Sequence, residues 1–264
     1  MSGRVLQPPA LEEEHRYILG MRVDATSYAR ATQRIIRWAE AGESRYVCVA
    51  NVHMVMEAYD DPAFRAIVNA ADLVTPDGMP LVWTLRCMGI HEQERVYGPT
   101  LTLWVAQEAA RRGIPVGFYG GHPEAARGIS ENLSRRFSGL QVTYCYSPPF
   151  RPLTPEEDAA VVEAINASGA RILFVGLGCP KQERWMAAHR GRVQAVMLGV
   201  GAAFDFHAGR VRQAPSWLQQ MGLEWLFRLL MEPRRLWRRY FRHNPRFVAL
   251  VGYQLFKEKR QTPR

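Results

Sequence analysis

The chain predicts an α/β fold: a Rossmann-like, mostly parallel sheet flanked by helices, with a basic helical appendage at its C-terminus. Three observations predict it. Short apolar segments alternate with helical patterns through the first two hundred residues. Several of those segments end in glycine turns or a polar residue, as strands do when their connections cross a sheet covered on both faces. From Pro215 strand patterns stop, and basic helical segments broken by prolines follow.

Taken in order, residues 1–14 read as a loose tail. Residues 26–41 carry Ile35, Ile36 and Trp38 among charges and predict a helix. A strand at 46–50 ends at Asn51. Residues 61–70 predict a helix that leads into a strand at Leu73-Val74. The alternation then becomes regular: helix 100–112, strand 115–119 ending in Gly120-Gly121, helix 123–137 with proline in its first turn, strand 141–146. Thr154 before Pro-Glu-Glu reads as an N-cap for a helix to 167. A strand at 171–175 ends in Gly176-Leu-Gly178, a helix spans 180–189, and a strand at 193–198 ends in Gly199-Val-Gly201. Beyond a boundary near 210, helices are expected at 223–231, 233–242 and 245–257, separated by prolines. The expected organisation is therefore a tail (1–14), an α/β domain (15–210) and a basic helical appendage (211–264).

The 264 residues carry a net charge of +9, and its distribution matters more than its size. Residues 215–264 hold eleven Lys or Arg against three acidic residues, which leaves the rest near neutral. A basic appendage on a neutral body suits a local anionic partner: a phosphate group, an anionic membrane or nucleic acid. No nucleic-acid recognition motif accompanies the charge. No run reaches the ~18 apolar residues needed to span a bilayer, so a soluble or peripheral protein is expected. Cys48, Cys87, Cys145 and Cys179 are scattered without metal spacing, as suits a reducing compartment.

In a parallel sheet, ligands bind beyond the carboxyl ends of the strands. Those ends collect Asn51, Asp77 and the glycine turns. Glycine turns before helices can bring free N–H groups to phosphate, so a nucleotide fits, although the same glycines also serve helix packing. The third glycine of the dinucleotide fingerprint is missing, no Gly-Lys-Ser/Thr occurs, and no Gly-x-Ser-x-Gly elbow is present. The seven histidines stand apart in the chain, and there is no Asp-x-Asp to hold a divalent ion. No metal site and no cofactor are expected. Asp77, in Thr-Pro-Asp-Gly, has two readings: an ordinary turn residue, or a carboxylate held at a strand end for chemistry.

Three segments decide further: "NAADLVTPDGMPLVW" (69–83), "VGLGCPKQERWM" (175–186) and "GVGAAFDFHAGRVRQAPSWLQQMGLEWLFRLLMEPRRLWRRY" (199–240). Together they resemble the WecG/TagA/CpsF family of bacterial glycosyltransferases, over nearly the whole chain. The resemblance implies an inverting, metal-independent transfer from a UDP-sugar to a polyprenyl-diphosphate-linked saccharide, at the cytoplasmic face of the membrane. N-acetylmannosamine, its uronic acid and glucose are all compatible as the sugar. The implied partners are the UDP-sugar, the lipid-linked acceptor and an anionic membrane surface, with no nucleic acid; a homo-oligomer is left open. A non-catalytic UDP-sugar-binding protein of polysaccharide assembly is the alternative.

By the same resemblance Asp77 matches the general base, and Asn51, Arg95 and Gln182 match active-site residues. Val49 stands where the family pattern has threonine. Asp205 is expected near the nucleoside, and Gly120, Gly121, Gly178 and Gly201 around the phosphates. Each also has a plain structural reading. Asn51 could cap a helix, Arg95 could pair with Glu92 or Glu94, and Asp205 could be a turn carboxylate. Gln182 lies in a helical first turn. Arg234, Arg238 and Arg242 share one helix face, with Arg235 and Arg239 beside them and Trp237, Tyr240 and Phe241 at helical spacing. Arginines among aromatics suit a lipid diphosphate or a membrane interface, with some rings expected inward.

Overall fold

The computed structural model describes residues 14–261; residues 1–13 of the expected tail lie outside them. The first elements are β1 (His15–Ile18), β2 (Met21–Asp24), α1 (Tyr28–Glu40), β3 (Arg45–Ala50), α2 (Val52–Asp60), α3 (Pro62–Asn69), β4 (Leu73–Pro76) and α4 (Met79–Cys87). Then come α5 (Gly98–Arg112), β5 (Val116–Gly120), α6 (Pro123–Arg136), β6 (Val142–Tyr146), α7 (Pro155–Ala167), β7 (Ile172–Gly176), α8 (Lys181–His189) and β8 (Val196–Gly199). The chain closes with α9 (Ala203–His207), α10 (Ser216–Gln220), α11 (Glu224–Met231) and α12 (Pro233–Gln261).

Six strands form one parallel sheet in the order β4-β3-β8-β7-β5-β6. The side-chain alternation of a strand decides which layer each residue joins. Tyr46, Cys48 and Ala50 of β3 face a layer built from α2, α3, α4, α7 and α8, whereas Val47 and Val49 face α1, α5, α6 and α9. The chain leaves β3 and β7 toward the first layer and β5 and β8 toward the second. Along β3-β8-β7-β5, neighbouring strands thus send their connections to opposite faces, which opens a crevice at their carboxyl ends.

The expected helices and strands of the sheet are all present, with ends shifted by a few residues. Four features are not among the expected elements, although the sequence leaves the cap at Asn51 as an open reading. The β1–β2 hairpin turns on Leu19 and Gly20, both at positive φ (51° and 84°), and Leu-Gly is not one of the dipeptides that announce such a turn. Helix α2 follows Asn51 at once, with the Asn51 side chain accepting from the Met54 N–H at 3.2 Å. Helix α4 begins inside the Pro-Asp-Gly-Met-Pro run, with Pro80 tolerated in its first turn. The short α9 lies in the Phe-Asp-Phe segment.

The appendage departs from expectation in two respects, the first being the added short helix α10. Residues 233–261 form a single helix that runs through Pro245 rather than two helices divided by it. Proline brings no N–H for the Phe241 carbonyl, but Pro245 and Phe241 are both exposed, so water can take that bond and the helix continues. Packing holds the helix in place. Phe247 and Val251 enter the core beside α2, and Arg246 grips Asp60 with two hydrogen bonds of 2.7 and 2.9 Å. Gln254 bonds the hairpin at the Leu19 N–H and the Tyr17 carbonyl. No helix among the described residues is long and apolar enough to cross a membrane.

Pro245→Ala should restore the missing helical bond and raise the thermal unfolding midpoint, with about 1–3 kcal/mol gained locally. A lowered midpoint would show that the ring itself is needed for packing.

Candidate active site

A cleft of about 1080 Å³ lies across the carboxyl ends of the strands. Its floor is made by the residues that end β3, β4, β5, β7 and β8, and one wall by the proline-rich loop after β6. The opposite wall comes from the appendage: Glu224 and Arg228 of α11, and Leu236 and Arg239 of α12.

Asp77 follows β4 directly. Its N–H and that of Gly78 both donate to the Ala50 carbonyl, at 2.8 and 3.3 Å, so the end of β4 stays tied to β3. Gly78 has φ −82° and caps α4; it needs no left-handed conformation, and a Cβ there would meet only ordinary contacts. The glycine of the apparent turn is thus not required by backbone geometry. The Asp77 carboxylate lines the cleft while most of its surface is buried. Burial raises its pKa to about 6; Arg95 opposes the rise, Glu224 adds to it, and a bond from the Gly98 N–H opposes it.

Arg95 does not pair with Glu92 or Glu94. Its Nη2 lies 3.3 Å from Asp77 Oδ1 and 2.6 Å from Glu224 Oε2, and its Nε donates to the Asp77 carbonyl. The guanidinium stacks on the Tyr97 ring at 4.1 Å, and the Tyr97 hydroxyl donates to Glu224 Oε1 at 3.0 Å. Glu224 is only 9% exposed, so its charge must be paired where it sits. Nη2 thus serves both carboxylates, one face is covered by Tyr97, and Arg95 itself does not line the cleft.

Asn51 lines the cleft and caps α2 at the same time. Gln182 also lines the cleft, but it is 4% exposed and its amide is fully engaged: Oε1 accepts from the Gly178 N–H, and Nε2 donates to Glu183 Oε1 at 2.7 Å. It braces the turn after β7. Glu183 beneath it is buried, and burial lifts its pKa to about 7. Asp205 of α9 lies at the cleft rim, half exposed, 3.7 Å from Arg210.

Gly121, Gly178 and Gly201 line the cleft, and Gly120 does not. At Gly120 (φ 107°) a Cβ would come within 2.8 Å of the Gly176 backbone, so this glycine permits close strand packing. The three lining glycines have their N–H groups committed to the fold: Gly121 to the Gly176 carbonyl, Gly178 to Gln182, and Gly201 to the Val175 carbonyl. In this structure these three N–H groups are therefore already bonded within the fold.

The appendage arginines divide. Arg239 turns into the cleft, with its Nε buried and without a hydrogen-bond partner. Arg234, Arg238 and Arg242 are exposed, and the side chain of Arg235 lies outside the described residues. Trp237 and Phe241 point outward beside them, Leu236 points inward, and Tyr240 packs edge-on against Trp225. Sequence reasoning missed Glu224 and Arg228. Arg228 resembles Arg239: it lines the cleft and its buried Nε has no partner. Both missed residues stand inside the long segment that carries the family resemblance, but no local spacing marks them.

A carboxylate at a strand end, facing cationic side chains across a cleft in a parallel α/β sheet, suits group transfer from an anionic donor. The model of the glycosyl transferase WecG/TagA/CpsF family matches residues 16–261, and the chain belongs to that family of glycosyltransferases. Over 215 residues it is 31% identical to the N-acetylglucosaminyldiphosphoundecaprenol N-acetyl-beta-D-mannosaminyltransferase of Bacillus spizizenii, an alignment covering 81% of each chain.

Glu224→Gln should remove a charge that raises the Asp77 pKa. The acid limb of kcat/KM against pH is then expected to move to lower pH. An unmoved limb would mean that Asp77 is not the group that titrates.

Proposed function

We propose that the protein transfers an N-acetylmannosamine-type sugar from its UDP-sugar to a polyprenyl-diphosphate-linked saccharide, in the synthesis of a cell-surface polymer. The observation that carries this reading is Asp77, buried at a strand end, opening on the cleft and held by Arg95 and Glu224. The activity for which the Bacillus spizizenii relative is named supports the sugar and the acceptor.

The transfer is an inverting displacement that needs no metal. Asp77 takes the proton of the acceptor hydroxyl as its oxygen bonds to the anomeric carbon. The bond to the UDP oxygen breaks on the opposite side, and the diphosphate carries away the electron pair. A base with a pKa near 6 is mostly ionised at neutral pH yet still accepts a proton well. The leaving diphosphate gains negative charge and is met by Arg228 and Arg239, with Lys181 on the cleft wall as a third cation. Arg95 is a positioning residue: it holds the Asp77 carboxylate and joins it to α11. Asn51 and Asp205 face the substrates, Asp205 on the nucleoside side, and Gln182 braces the turn beneath them.

The exposed face of the appendage seats the enzyme on the cytoplasmic leaflet. Trp217, Leu230, Met231, Trp237 and Phe241 are all more than two-fifths exposed, and Arg234 and Arg238 stand among them. Rings at headgroup depth and cations against anionic lipid favour that orientation.

UDP release from a panel of UDP-sugars, with a short-chain lipid-diphosphate-sugar acceptor, tests the reaction. One donor should support acceptor-dependent release, and Asp77→Asn should slow it by about 10²–10⁴-fold while sparing UDP binding. Equal rates in the variant would place the base elsewhere. Stability should move the other way. The folded protein holds the Asp77 proton more tightly than the unfolded chain, so the ionised group costs stability, increasingly as pH rises from about 4 to 6. At pH 7.5 Asp77→Asn should therefore unfold at or above the wild-type temperature.

Membrane seating is tested separately with vesicles containing anionic lipid. Gln at Arg234, Arg238 and Arg242 together should weaken binding by about 100-fold, at roughly 1 kcal/mol per cation, and flatten its salt dependence. Arg239→Gln should instead raise the KM for substrate. Unchanged binding by the triple variant would remove the membrane role from these arginines.

A further inference from the structure

The histidines that stand apart in the chain do not all stand apart in space. His53 and Glu57 are one turn apart on α2, and His243 of α12 packs against them. Glu57 Oε1 lies 3.7 Å from His53 Nδ1 and 3.6 Å from His243 Nε2, and one ligand atom from each residue falls within 4.8 Å of the other two. These separations are too long for hydrogen bonds. They are close to the edge of a coordination tetrahedron, about 3.4 Å for bonds of about 2.0–2.1 Å. We propose that His53, Glu57 and His243 bind one divalent transition ion of the Zn²⁺ type, clasping α12 to α2 beside the cleft.

Three further observations support the site. His53 Nδ1 is buried and has no hydrogen-bond partner, so a group able to accept a ligand bond sits inside the protein without one. The His53 ring also lies against the Cys179 backbone, which helps to hold its orientation. Two imidazoles and a carboxylate are a donor set that zinc takes, with the remaining position left to water.

Arg239, Arg242 and Arg246 are the cations that face this cluster. Arg246 is neutralised by Asp60, which also lies 3.8 Å from Arg242. Arg239 remains as a repulsive neighbour that selects for ions held by strong nitrogen ligands over weakly held Mg²⁺ or Ca²⁺. The ion takes no part in the transfer step proposed above. Its role is mechanical: it joins the helix that carries Arg239 to the helix that follows Asn51.

The test uses the full chain, stripped with a chelator and titrated with Co²⁺, then competed with Zn²⁺. One equivalent of Co²⁺ should give visible d–d absorption, Zn²⁺ should displace it, and either ion should raise the thermal midpoint. Glu57→Gln and His243→Gln should each weaken binding by more than about 10-fold. Circular dichroism checks the fold, and if His243→Gln does not fold, Glu57→Gln decides. Absence of saturable absorption, or saturation undiminished in the folded variants, overturns the proposal. None of these readouts depends on sugar transfer, so the clasp and the catalytic reading fail independently.

Discussion

The Arg95 guanidinium, held between Asp77 and Glu224, is the interaction on which the rest of the site depends. Two carboxylates and one guanidinium leave a net negative charge in a buried place. Such a cluster persists only if every member is bonded, because each unpaired charge would carry the full desolvation penalty. Tyr97 closes the arrangement by stacking on Arg95 and donating to Glu224. Burial makes Asp77 hold a proton more readily than a free carboxylate; Arg95 opposes this and Glu224 adds to it. The same bonds tie the end of β4 to α11, so the candidate base and the appendage form one electrostatic unit.

This coupling explains how the appendage can serve two surfaces. Helices α11 and α12 send Glu224, Arg228, Leu236 and Arg239 toward the cleft, and Arg234, Trp237, Arg238 and Phe241 away from it. A helix with 3.6 residues per turn separates neighbours in sequence onto different sides, so adjacent arginines at 238 and 239 acquire different tasks. A wall that both lines the cleft and faces outward agrees with the proposed transfer to a lipid-linked acceptor. The wall must still be held on the body, and it is, by Asp60 with Arg246, by Phe247 and Val251, and by Gln254 on the hairpin.

The glycine turns show how strand-end chemistry can mislead. Their position at the cleft follows from the alternation of strand and helix and was legible. Their use was not. Once β3, β8, β7 and β5 lie side by side, the N–H groups of Gly121 and Gly201 meet carbonyls of β7, and Gly178 meets the buried Gln182. An amide satisfied by the fold has no reason to seek phosphate. In the proposed reaction that charge is met by cationic side chains of the appendage.

The sequence by itself determined the alternation of strand and helix, the strand ends that meet at one edge, the basic appendage and the presence of Asp77 at a strand end. These depend on periodicity, turn chemistry and composition, which act within a few residues. The family membership was also legible, in three long segments. Only the tertiary structure decided who pairs with Arg95, which arginines face inward, whether Pro245 ends a helix, and that His243 meets His53 and Glu57. Those outcomes depend on groups more than a hundred residues apart, or on whether a backbone carbonyl faces water. No local spacing encodes either, because burial and proximity arise only once the layers have packed.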